Sequence, residues 1–282
     1  MEFTTDRVAL VTGASSGIGA ETARHLAGLG FTVYAAARRV DRMSELAARG
    51  IRTVSVDVTD DASMVALIDQ ILAETGRIDV LVNNAGYGSY GALEDVPLDE
   101  ARRQFEVNVF GLARLSQLVL PHMRAQKDGY IVNVSSMGGK IWEPLGSWYH
   151  ATKFAVEGLS DSLRAEVAPF GVKVVVIEPG VIRSEWSGIS ADTLEATSEG
   201  SAYRSQITAM ARALRGANTN RIASHPRVVA VAIGRAVSTA KPRTRYAVGG
   251  GARPILFLNR ILTDRGFDGF IRRVYGMPSQ AE

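Results

Sequence analysis

Tyr149 and Lys153 lie four residues apart in the stretch Tyr-His-Ala-Thr-Lys, a short loop after Ser136. On a helix this spacing places both side chains on one face, one turn apart. A lone Tyr–Lys pair of this kind is usually a pair of surface neighbours. Near the N-terminus, however, residues 12–19 are rich in glycine. A glycine-rich phosphate cradle combined with a cluster of Ser, Tyr and Lys predicts a hydride-transfer site.

The candidate phosphate cradle contains Gly13, Gly17 and Gly19, between a predicted strand and a predicted helix. Such glycines allow a tight turn, a close approach of the backbone to a pyrophosphate and close packing of helix on sheet. The helix N-terminus adds unpaired N–H groups that attract a phosphate. The alternative is an ordinary strand–helix turn, but the flanking elements favour nucleotide binding. The other residues expected in the cradle are Ser15, Ser16 and Ile18.

The second predicted strand ends in Ala37-Arg38-Arg39 and carries no acidic residue at its tip. Sites that prefer NAD hold the ribose hydroxyls with an Asp or Glu here, whereas an arginine suits the 2′-phosphate of NADP. Because guanidinium groups bind phosphate in bidentate fashion, the sequence predicts NADP(H) in preference to NAD(H). The alternative is a solvated arginine pair that caps the next helix. Asp57, with Val58 beside it, follows the third strand and is expected to meet the adenine ring.

Short apolar runs alternate with helix-length segments along the chain. Near-continuous β-branched runs are typical of strands buried on both faces of a parallel sheet, and strands alternating with helices imply right-handed crossovers. The predicted fold class is α/β: a single doubly wound Rossmann domain over residues 1–282, with a seven-stranded parallel sheet and helices on both faces. The predicted strands are 8–11, 32–37, 53–56, 80–82, 130–134, 172–177 and 245–248. The predicted helices are 17–29, 41–49, 62–74, two within 98–127, and 149–168.

The composition is that of a globular protein, with 46% hydrophobic and 22% charged residues. The absence of cysteine excludes disulfides, thiolate metal sites and a cysteine nucleophile, and it favours a cytoplasmic location. No apolar run is long enough to cross a bilayer, and the N-terminus has no signal-peptide pattern. Histidines and carboxylates do not pair at metal-ligand spacing, so we expect no metal.

The net charge of +3 is concentrated near the C-terminus. Residues 241–282 hold eight basic and three acidic side chains, so the remaining 240 residues carry a net charge of −2. The body of the chain has no basic stripe, and the basic residues of the tail alternate with apolar ones. We therefore expect no nucleic-acid partner.

Two segments interrupt the strand–helix rhythm. Residues 184–220 are polar and rich in Ser, Thr and Ala, and are expected to form an insertion that covers the substrate. Residues 252–275 form a C-terminal extension that is both basic and apolar. Three interpretations of this extension compete: an amphipathic cover for a lipophilic substrate channel, a dimer contact, and a weak membrane-surface anchor.

Taken together, these motifs resemble the classical short-chain dehydrogenase/reductase family over residues 7–248. The resemblance rests on Thr12-Gly13-x-x-x-Gly17-x-Gly19 and on motifs that follow in the family's order. These are Asn83-Asn84-Ala85-Gly86, Asn108, Ser136, Tyr149-x-x-x-Lys153 and Pro179-Gly180. The second strand and the stretch after Tyr149 are similar to the branch that acts on hydroxysteroids, retinoids and other lipophilic alcohols.

The resemblance implies four catalytic residues. Tyr149 would be the general acid in carbonyl reduction and the base in alcohol oxidation. Lys153 would favour the ionised form of that tyrosine and hold the nicotinamide ribose. Ser136 would orient the substrate oxygen, and Asn108 would hold a water that links Lys153 to solvent. The implied cofactor residues are Asn84, Ala85 and Gly86 on the adenosine side, Pro179, Gly180, Val181 and Ile182 on the nicotinamide side, and Ser184 at the carboxamide.

The substrate side is predicted from apolar and aromatic residues in loops that this fold directs at the nicotinamide. They are Tyr87, Met137, Trp142, Trp148 and Trp186, with Ile141, Leu145 and Val181 nearby. They predict a roomy apolar pocket for a small lipophilic ketone or secondary alcohol. The alternative is that they belong to the core or to a subunit interface.

Three functions remain compatible with the sequence. The first is an NADP(H)-dependent carbonyl reductase or alcohol dehydrogenase. The second is an NAD-linked dehydrogenase working oxidatively, against which Arg38 and Arg39 argue. The third is a non-catalytic nucleotide-sensing protein, against which the complete set of Ser136, Tyr149 and Lys153 argues. The resemblance also implies a homodimer or homotetramer built on the helices within 108–127 and 149–168.

Overall fold

A seven-stranded, fully parallel sheet is the centre of the fold. The computed structural model describes residues 7–196, 199–219 and 221–277. The strands are β1 (Val8–Thr12), β2 (Thr32–Ala37), β3 (Arg52–Ser55), β4 (Val80–Asn83), β5 (Gly129–Val134), β6 (Val172–Pro179) and β7 (Arg245–Val248). They lie side by side in the order β3-β2-β1-β4-β5-β6-β7, which confirms the predicted doubly wound α/β sheet.

Helices connect the strands and extend the chain beyond the last one. They are α1 (Gly17–Gly28), α2 (Ser44–Ala47), α3 (Asp61–Thr75), α4 (Leu98–Phe105), α5 (Gly111–Gln126), α6 (Ser147–Val167), α7 (Trp186–Ala196), α8 (Arg204–Gly216), α9 (Arg227–Val237), α10 (Ala252–Ile261) and α11 (Asp264–Tyr275). The sheet has helices on both faces. Leu26 of α1 packs with Val11 in one buried cluster, and Leu115 of α5 packs with Leu10 in another. Because Leu10 and Val11 are neighbours in β1, their side chains leave the sheet on opposite faces.

The observed elements differ from the predicted ones in three places. The predicted helix 41–49 is a 3₁₀ turn (Val40–Met43) followed by the single-turn α2, because the chain must enter β3 at Arg52. The two helices predicted within 98–127 form one continuous helical stretch, since a π-helical turn (Glu106–Phe110) joins α4 to α5. The predicted insertion 184–220 contains α7 and α8. Its positions 197, 198 and 220 lie outside the described residues, as do 1–6 and 278–282.

The strand order creates a crevice above the carboxyl end of β1. From β1 the chain moves outward to β2 and β3, then returns to β4 on the other side of β1. Connections therefore leave β1 and β4 in opposite directions, and α/β sheets bind their ligands at such a point. The six loops predicted to carry site residues, those after β1 to β6, meet this edge, because all seven strands point the same way.

The turn between β1 and α1 is packed too closely to admit side chains at two glycines. Gly13 has φ +64°, and a Cβ there would lie 2.8 Å from the Cα of Ala85. A Cβ on Gly19 would lie 2.3 Å from the carbonyl oxygen of Gly13 and 2.6 Å from Nδ2 of Asn84. The first position needs a left-handed backbone, which glycine adopts readily. At Gly19 the absence of a side chain lets α1 pack directly against the turn.

We expect Gly19→Ala to lower the free energy of unfolding by about 2 kcal/mol or more, because the new methyl group overlaps fixed backbone atoms. The matched control is Gly158→Ala in α6, where a Cβ would meet nothing within 4 Å. That substitution should be neutral or stabilising by up to about 1 kcal/mol. Urea denaturation of both variants is the measurement. Equal stabilities for the two would contradict the close approach at Gly19.

Candidate active site

Ser136, Tyr149 and Lys153 meet at the carboxyl end of β5. Ser136 follows the strand and caps a short 3₁₀ turn (Met137–Gly139), where its Oγ accepts a hydrogen bond from the N–H of Gly138 (3.0 Å). Tyr149 lies in the first turn of α6, with its hydroxyl close enough to the Ser136 side chain for the serine to lower the tyrosine pKa. One turn on, Nζ of Lys153 donates to the carbonyl oxygen of Val134 (3.0 Å) and lies 6.0 Å from the ring centre of Tyr149.

Burial shifts the ionisation of both α6 side chains. Tyr149 is 7% exposed and Lys153 is 9% exposed. Burial raises the pKa of Tyr149, as does the nearby charge of Glu143, while the Ser136 hydrogen bond opposes the shift. Burial also lowers the pKa of Lys153 to about 8, against the opposing charge of Glu157. Removal from water disfavours the charged form of each group, so both are brought closer to neutrality.

Asn108 is buried in the π-helical turn and holds the backbone of Tyr87. Its Oδ1 accepts from the N–H of Tyr87 (3.0 Å), and its Nδ2 donates to the Tyr87 carbonyl (2.9 Å) and to Oγ1 of Thr152 (3.1 Å). A Cβ on Gly86 would lie 3.0 Å from Oδ1 of Asn108 and 3.9 Å from Nζ of Lys153. The side chain of Asn108 thus fixes the loop after β4 against α6, beside Lys153.

Asn84 ties the loop after β4 to the glycine turn. Its Nδ2 donates to the carbonyl oxygens of Thr12 (2.9 Å) and Gly13 (3.3 Å). In return, the N–H groups of Asn84 and Ala85 both donate to Oγ1 of Thr12 (3.1 Å each). The Asn84 amide is therefore engaged with the turn itself, and the predicted adenosine side of the crevice is formed by a rigid backbone.

The loop after β6 crosses the mouth of the crevice. Gly180 and Val181 run beside Gly250, where a Cβ on Gly180 would lie 2.1 Å from the Gly250 carbonyl oxygen. Further on, a Cβ on Gly17 would lie 3.5 Å from Cβ of Ser184. Asn218 holds Ser184 through both backbone groups, at 3.0 and 2.9 Å. Ser184 is thereby placed directly over the start of α1.

Arg38 and Arg39 are exposed at the end of β2. In the part of the chain that the structure describes, neither guanidinium forms an ion pair or hydrogen bond. Burial raises the pKa of Asp57, but hydrogen bonds from Thr59 and the charge of Arg38 outweigh it and lower the pKa overall. The guanidinium groups are thus available to an anion, close to the carboxylate of Asp57. Val58 instead lies in the core, against the start of α5.

Trp186 covers the Tyr149 side chain. The two ring centres lie 5.1 Å apart, and Tyr90 completes the cluster at 5.7 Å from Tyr149 and 5.9 Å from Trp186. Residues of α7 and α8, among them Leu194 and Met210, belong to the same buried cluster.

Met137 and Trp142 lie under the C-terminal extension. Trp142 packs on Phe267 of α11, with ring centres 5.0 Å apart, and its Nε1 donates to Asp268 (2.9 Å). Met137 and Ile141 join the same cluster.

The side chains of two predicted substrate residues, Trp148 and Tyr87, make contacts away from Tyr149. Trp148 packs edge-to-face on Phe105 of α4 (6.4 Å) and lines a surface cavity of about 340 Å³ with Leu98 and Phe110. The helix turn of about 100° between Trp148 and Tyr149 carries it away from the site. The hydroxyl of Tyr87 bonds Glu100 of α4 (3.0 Å).

A polar group of residues beside Tyr149 was not predicted from the sequence. The carboxylate of Glu143 accepts hydrogen bonds from the hydroxyls of Tyr90 (3.2 Å) and Tyr275 of α11. His150 is buried, with Nε2 accepting from the N–H of Glu143 (3.0 Å) and Nδ1 at 2.9 Å from the Gly138 carbonyl. The contacts of Glu143 with Tyr90 and Tyr275 join parts of the chain that are 53 and 132 residues apart, so no local pattern could have revealed them.

No group of metal-ligating side chains is found among residues 7–196, 199–219 and 221–277. Over the same residues, no helix is both long enough and apolar enough to span a bilayer.

Known proteins share the sequence pattern of this site and its fold. The chain matches the family described as short chain dehydrogenase over residues 7–194. It is 37% identical over 243 residues to a 3-ketodihydrosphingosine reductase of Bacteroides thetaiotaomicron. The matched region covers 86% of this chain and 88% of that protein.

Two solved structures of similar fold contain different cofactors. A metagenomic short-chain oxidoreductase in complex with NADP is 29% identical, with 87% of this chain and 98% of that chain covered and a TM-score of 0.68. A short chain dehydrogenase/reductase from Burkholderia phymatum in complex with NAD is 26% identical, with 100% and 99% covered and a TM-score of 0.78. Proteins of this fold therefore include both NADP and NAD binders.

Proposed function

The chain belongs to the short-chain dehydrogenase family, and we propose that within it this protein transfers a hydride between NADP(H) and a lipophilic carbonyl or secondary alcohol. The observation that carries the proposal is the buried contact between Ser136 and Tyr149, with the Lys153 ammonium one helical turn away. A tyrosine, a hydroxyl and a cation in this arrangement can pass a proton to a carbonyl oxygen in a site closed to water.

In the reductive direction, the Tyr149 hydroxyl donates its proton to the substrate oxygen, and Ser136 orients that oxygen. The Lys153 ammonium favours the tyrosinate that results, because an opposite charge nearby stabilises the ionised form. Asn108 fixes the loop beside Lys153, where we place the water that returns the proton from solvent. When bound, the nicotinamide supplies or accepts the hydride. In the oxidative direction the same residues act in reverse.

The crevice above β1 fits a dinucleotide. The glycine turn packs tightly against the loop after β4 without side chains, and α1 begins there with no side-chain cap from Ser16 on its first N–H groups, which suits a phosphate. Lys153 would hold the nicotinamide ribose, and Ser184, with Pro179 to Ile182, would hold the nicotinamide side. The unpaired Arg38 and Arg39 would hold a 2′-phosphate, which favours NADP(H) over NAD(H).

The substrate would lie between Tyr149 and the aromatic cover. Trp186, Met137 and Trp142 supply apolar surface there, and the segment from 184 to 220 together with the C-terminal extension would close over it. The name of the relative, 3-ketodihydrosphingosine reductase, supports a lipophilic carbonyl compound. A hydroxysteroid or retinoid substrate belongs to the same proposal, and a cytoplasmic location stays a prediction.

The exposed face of α4, α5 and α6 supports a homodimer. Leu98, Phe110 and Phe154 are 58%, 54% and 46% exposed, and Trp148 lies between α4 and α6 with its Nε1 buried and unpaired. An apolar patch of this kind marks an interaction surface. We assign it to a second copy of this chain.

The C-terminal extension has its own exposed face. Phe257 and Ile261 of α10 are 64% and 60% exposed, next to Arg253 and Arg260. A weak contact with an anionic membrane surface is therefore the second role we consider for it, after that of substrate cover. Flotation of the full chain with anionic and neutral vesicles tests this, and absence of binding to both would exclude it.

Replacing Tyr149 by Phe tests the proposed chemistry. We expect kcat to fall by about a hundredfold or more, the usual contribution of a general acid, with the Kd for NADPH nearly unchanged. Tyr90→Phe is the control, since its ring packs on Tyr149 but its hydroxyl bonds Glu143. A Tyr149→Phe variant that keeps more than about a tenth of wild-type kcat would refute the role of Tyr149.

Substituting Arg38 and Arg39 by Ala tests the cofactor preference. We expect NADPH binding to weaken by roughly tenfold or more while NADH binding is unaffected, because only NADPH carries the 2′-phosphate. Arg42→Ala, which removes a guanidinium already paired with Glu185 (2.9 Å), is the control. Fluorescence titration measures both affinities. If the wild-type protein binds NADPH no more tightly than NADH, the protein is the NAD-linked alternative.

Placing a charge on the α4–α6 face tests the dimer. Phe110→Asp should convert the dimer to a monomer, because two like charges would be buried at a symmetric contact. Phe257→Asp, on the C-terminal extension, should leave it dimeric. Analytical ultracentrifugation reads both. Dissociation by the second substitution alone would move the dimer contact to the extension.

A further inference from the structure

A cluster of five charged residues, two of them buried, contains Glu157, one helical turn after Lys153. We call it the Glu157 cluster, and its members come from four parts of the chain. They are Lys140, which follows the 3₁₀ turn, Glu157 and Asp161 of α6, Glu178 of β6 and Arg245 of β7. The side chains of Glu157 and Glu178 are only 6% and 5% exposed. The proposed hydride-transfer chemistry leaves all five unused.

Arg245 and Lys140 fix the position of the Glu157 carboxylate. Nε of Arg245 lies 3.0 Å from Oε2 of Glu157 and 3.4 Å from Oε1 of Glu178, and its Nη2 lies 2.6 Å from Asp161. Nζ of Lys140 lies 3.5 Å from the same Oε2 of Glu157. Both cations therefore hold one oxygen of Glu157, while its Oε1 has no hydrogen-bond partner.

Glu157 stands four residues after Lys153, so the two share one face of α6, one turn apart. Two buried opposite charges at this spacing would be expected to form a direct ion pair. Among the described residues, however, Lys153 has no ion pair, and its ammonium donates to the Val134 carbonyl instead. Arg245 and Lys140 thus keep Glu157 from closing onto Lys153.

The charges of the cluster do not cancel. Three carboxylates face two cations, which leaves one negative charge in excess when all are ionised. Burial, followed by the charge of Glu157, raises the pKa of Glu178 to about 7. Above pH 7 or so, the cluster therefore carries its excess negative charge near Lys153. This is the same pH range in which burial alone would favour loss of the lysine proton.

We propose that Glu157 is a positioning residue that keeps Lys153 protonated without bonding to it, so that the ammonium hydrogens not donated to Val134 stay free. The distant, anchored carboxylate supplies the favourable field, and no hydrogen of the ammonium is consumed by a direct bond. Among the described residues, the titratable and charged groups considered around Lys153 and Glu157 are Tyr149, Lys140, Asp161, Glu178 and Arg245. That the free ammonium hydrogens bind the ribose and Tyr149 rests on the proposed function. That Glu157 keeps Lys153 charged does not depend on it.

The charge of Lys153 can be measured without substrate or cofactor. The chain has five lysines, at positions 127, 140, 153, 173 and 241, so the NMR signals of labelled lysine side chains are few. The Lys153→Met variant assigns the signal of interest. A pH titration of the full-length protein then gives the pKa of Lys153 directly.

We expect Glu157→Gln to move the titration of Lys153 to lower pH by roughly half a unit or more, because the nearby negative charge is lost. Lys140→Gln, at a half-exposed position, should move it to higher pH, since a cation that screens Glu157 is removed. This second variant decides the question if Glu157→Gln does not fold. Asp161→Asn, which shares Arg245 but lies two turns from Lys153, is the matched control.

An unchanged Lys153 titration in both Glu157→Gln and Lys140→Gln would overturn the proposal. So would an equal shift in Asp161→Asn, because the effect would then belong to the net charge and not to Glu157. The alkaline limb of kcat/KM against pH should follow the same order of variants, and Glu178→Gln should not move it as far as Glu157→Gln does. Absence of turnover with every carbonyl tested would refute the proposed function and leave the lysine titration to decide this inference.

Discussion

The Lys153 ammonium lies in an interior that is nearly closed to water, and the site depends on keeping it charged there. Burial pushes Lys153 and Tyr149 toward their neutral forms at the same time, because each loses the solvation of its ion. The Val134 carbonyl and the charge of Glu157 oppose this for the lysine. Fixed dipoles and charges that replace water need little reorganisation when a proton moves. Burial thus disfavours the charged form of the lysine, but it also strengthens the effect of that charge on the neighbouring Tyr149.

Such an arrangement requires contacts between distant parts of the chain, and the parallel sheet supplies them. β5, β6 and β7 are adjacent, so Val134, Glu178 and Arg245 surround one end of α6 although more than a hundred residues separate the first from the last. On the other side, β1 and β4 are neighbours, and Asn84 joins their loops through Thr12. The crevice and the proposed acid–base residues are therefore held on one edge of the sheet, and α7, α8, α10 and α11 pack beside it.

The fold could be predicted well because its signals are local. β-branched runs predicted all seven strands, and their bounds differ by only a few residues. The Tyr149–Lys153 spacing predicted a shared helix face for the same reason. The contacts of individual side chains were harder to predict. Trp148 is next to Tyr149 in sequence but packs on α4, because the helix rotates by about 100° between the two residues. Glu143, Tyr90 and Tyr275 meet only through tertiary packing, and the unpaired oxygen of Glu157 depends on where Arg245 arrives from β7. No pattern in a single sequence predicts the contacts of Glu143 or the unpaired oxygen of Glu157.

The measurement that bears most directly on the proposed function is the fate of a deuterium label at the reactive carbon of NADPH. The protein would be incubated with NADPH that carries deuterium at both C4 positions and with a set of lipophilic ketones, and the products examined by mass spectrometry. Hydride transfer at Tyr149 predicts an alcohol that carries deuterium on the former carbonyl carbon, with one equivalent of NADP⁺ formed for each alcohol. Tight NADPH binding with no labelled alcohol from any ketone would contradict the account and would favour a nucleotide-sensing protein.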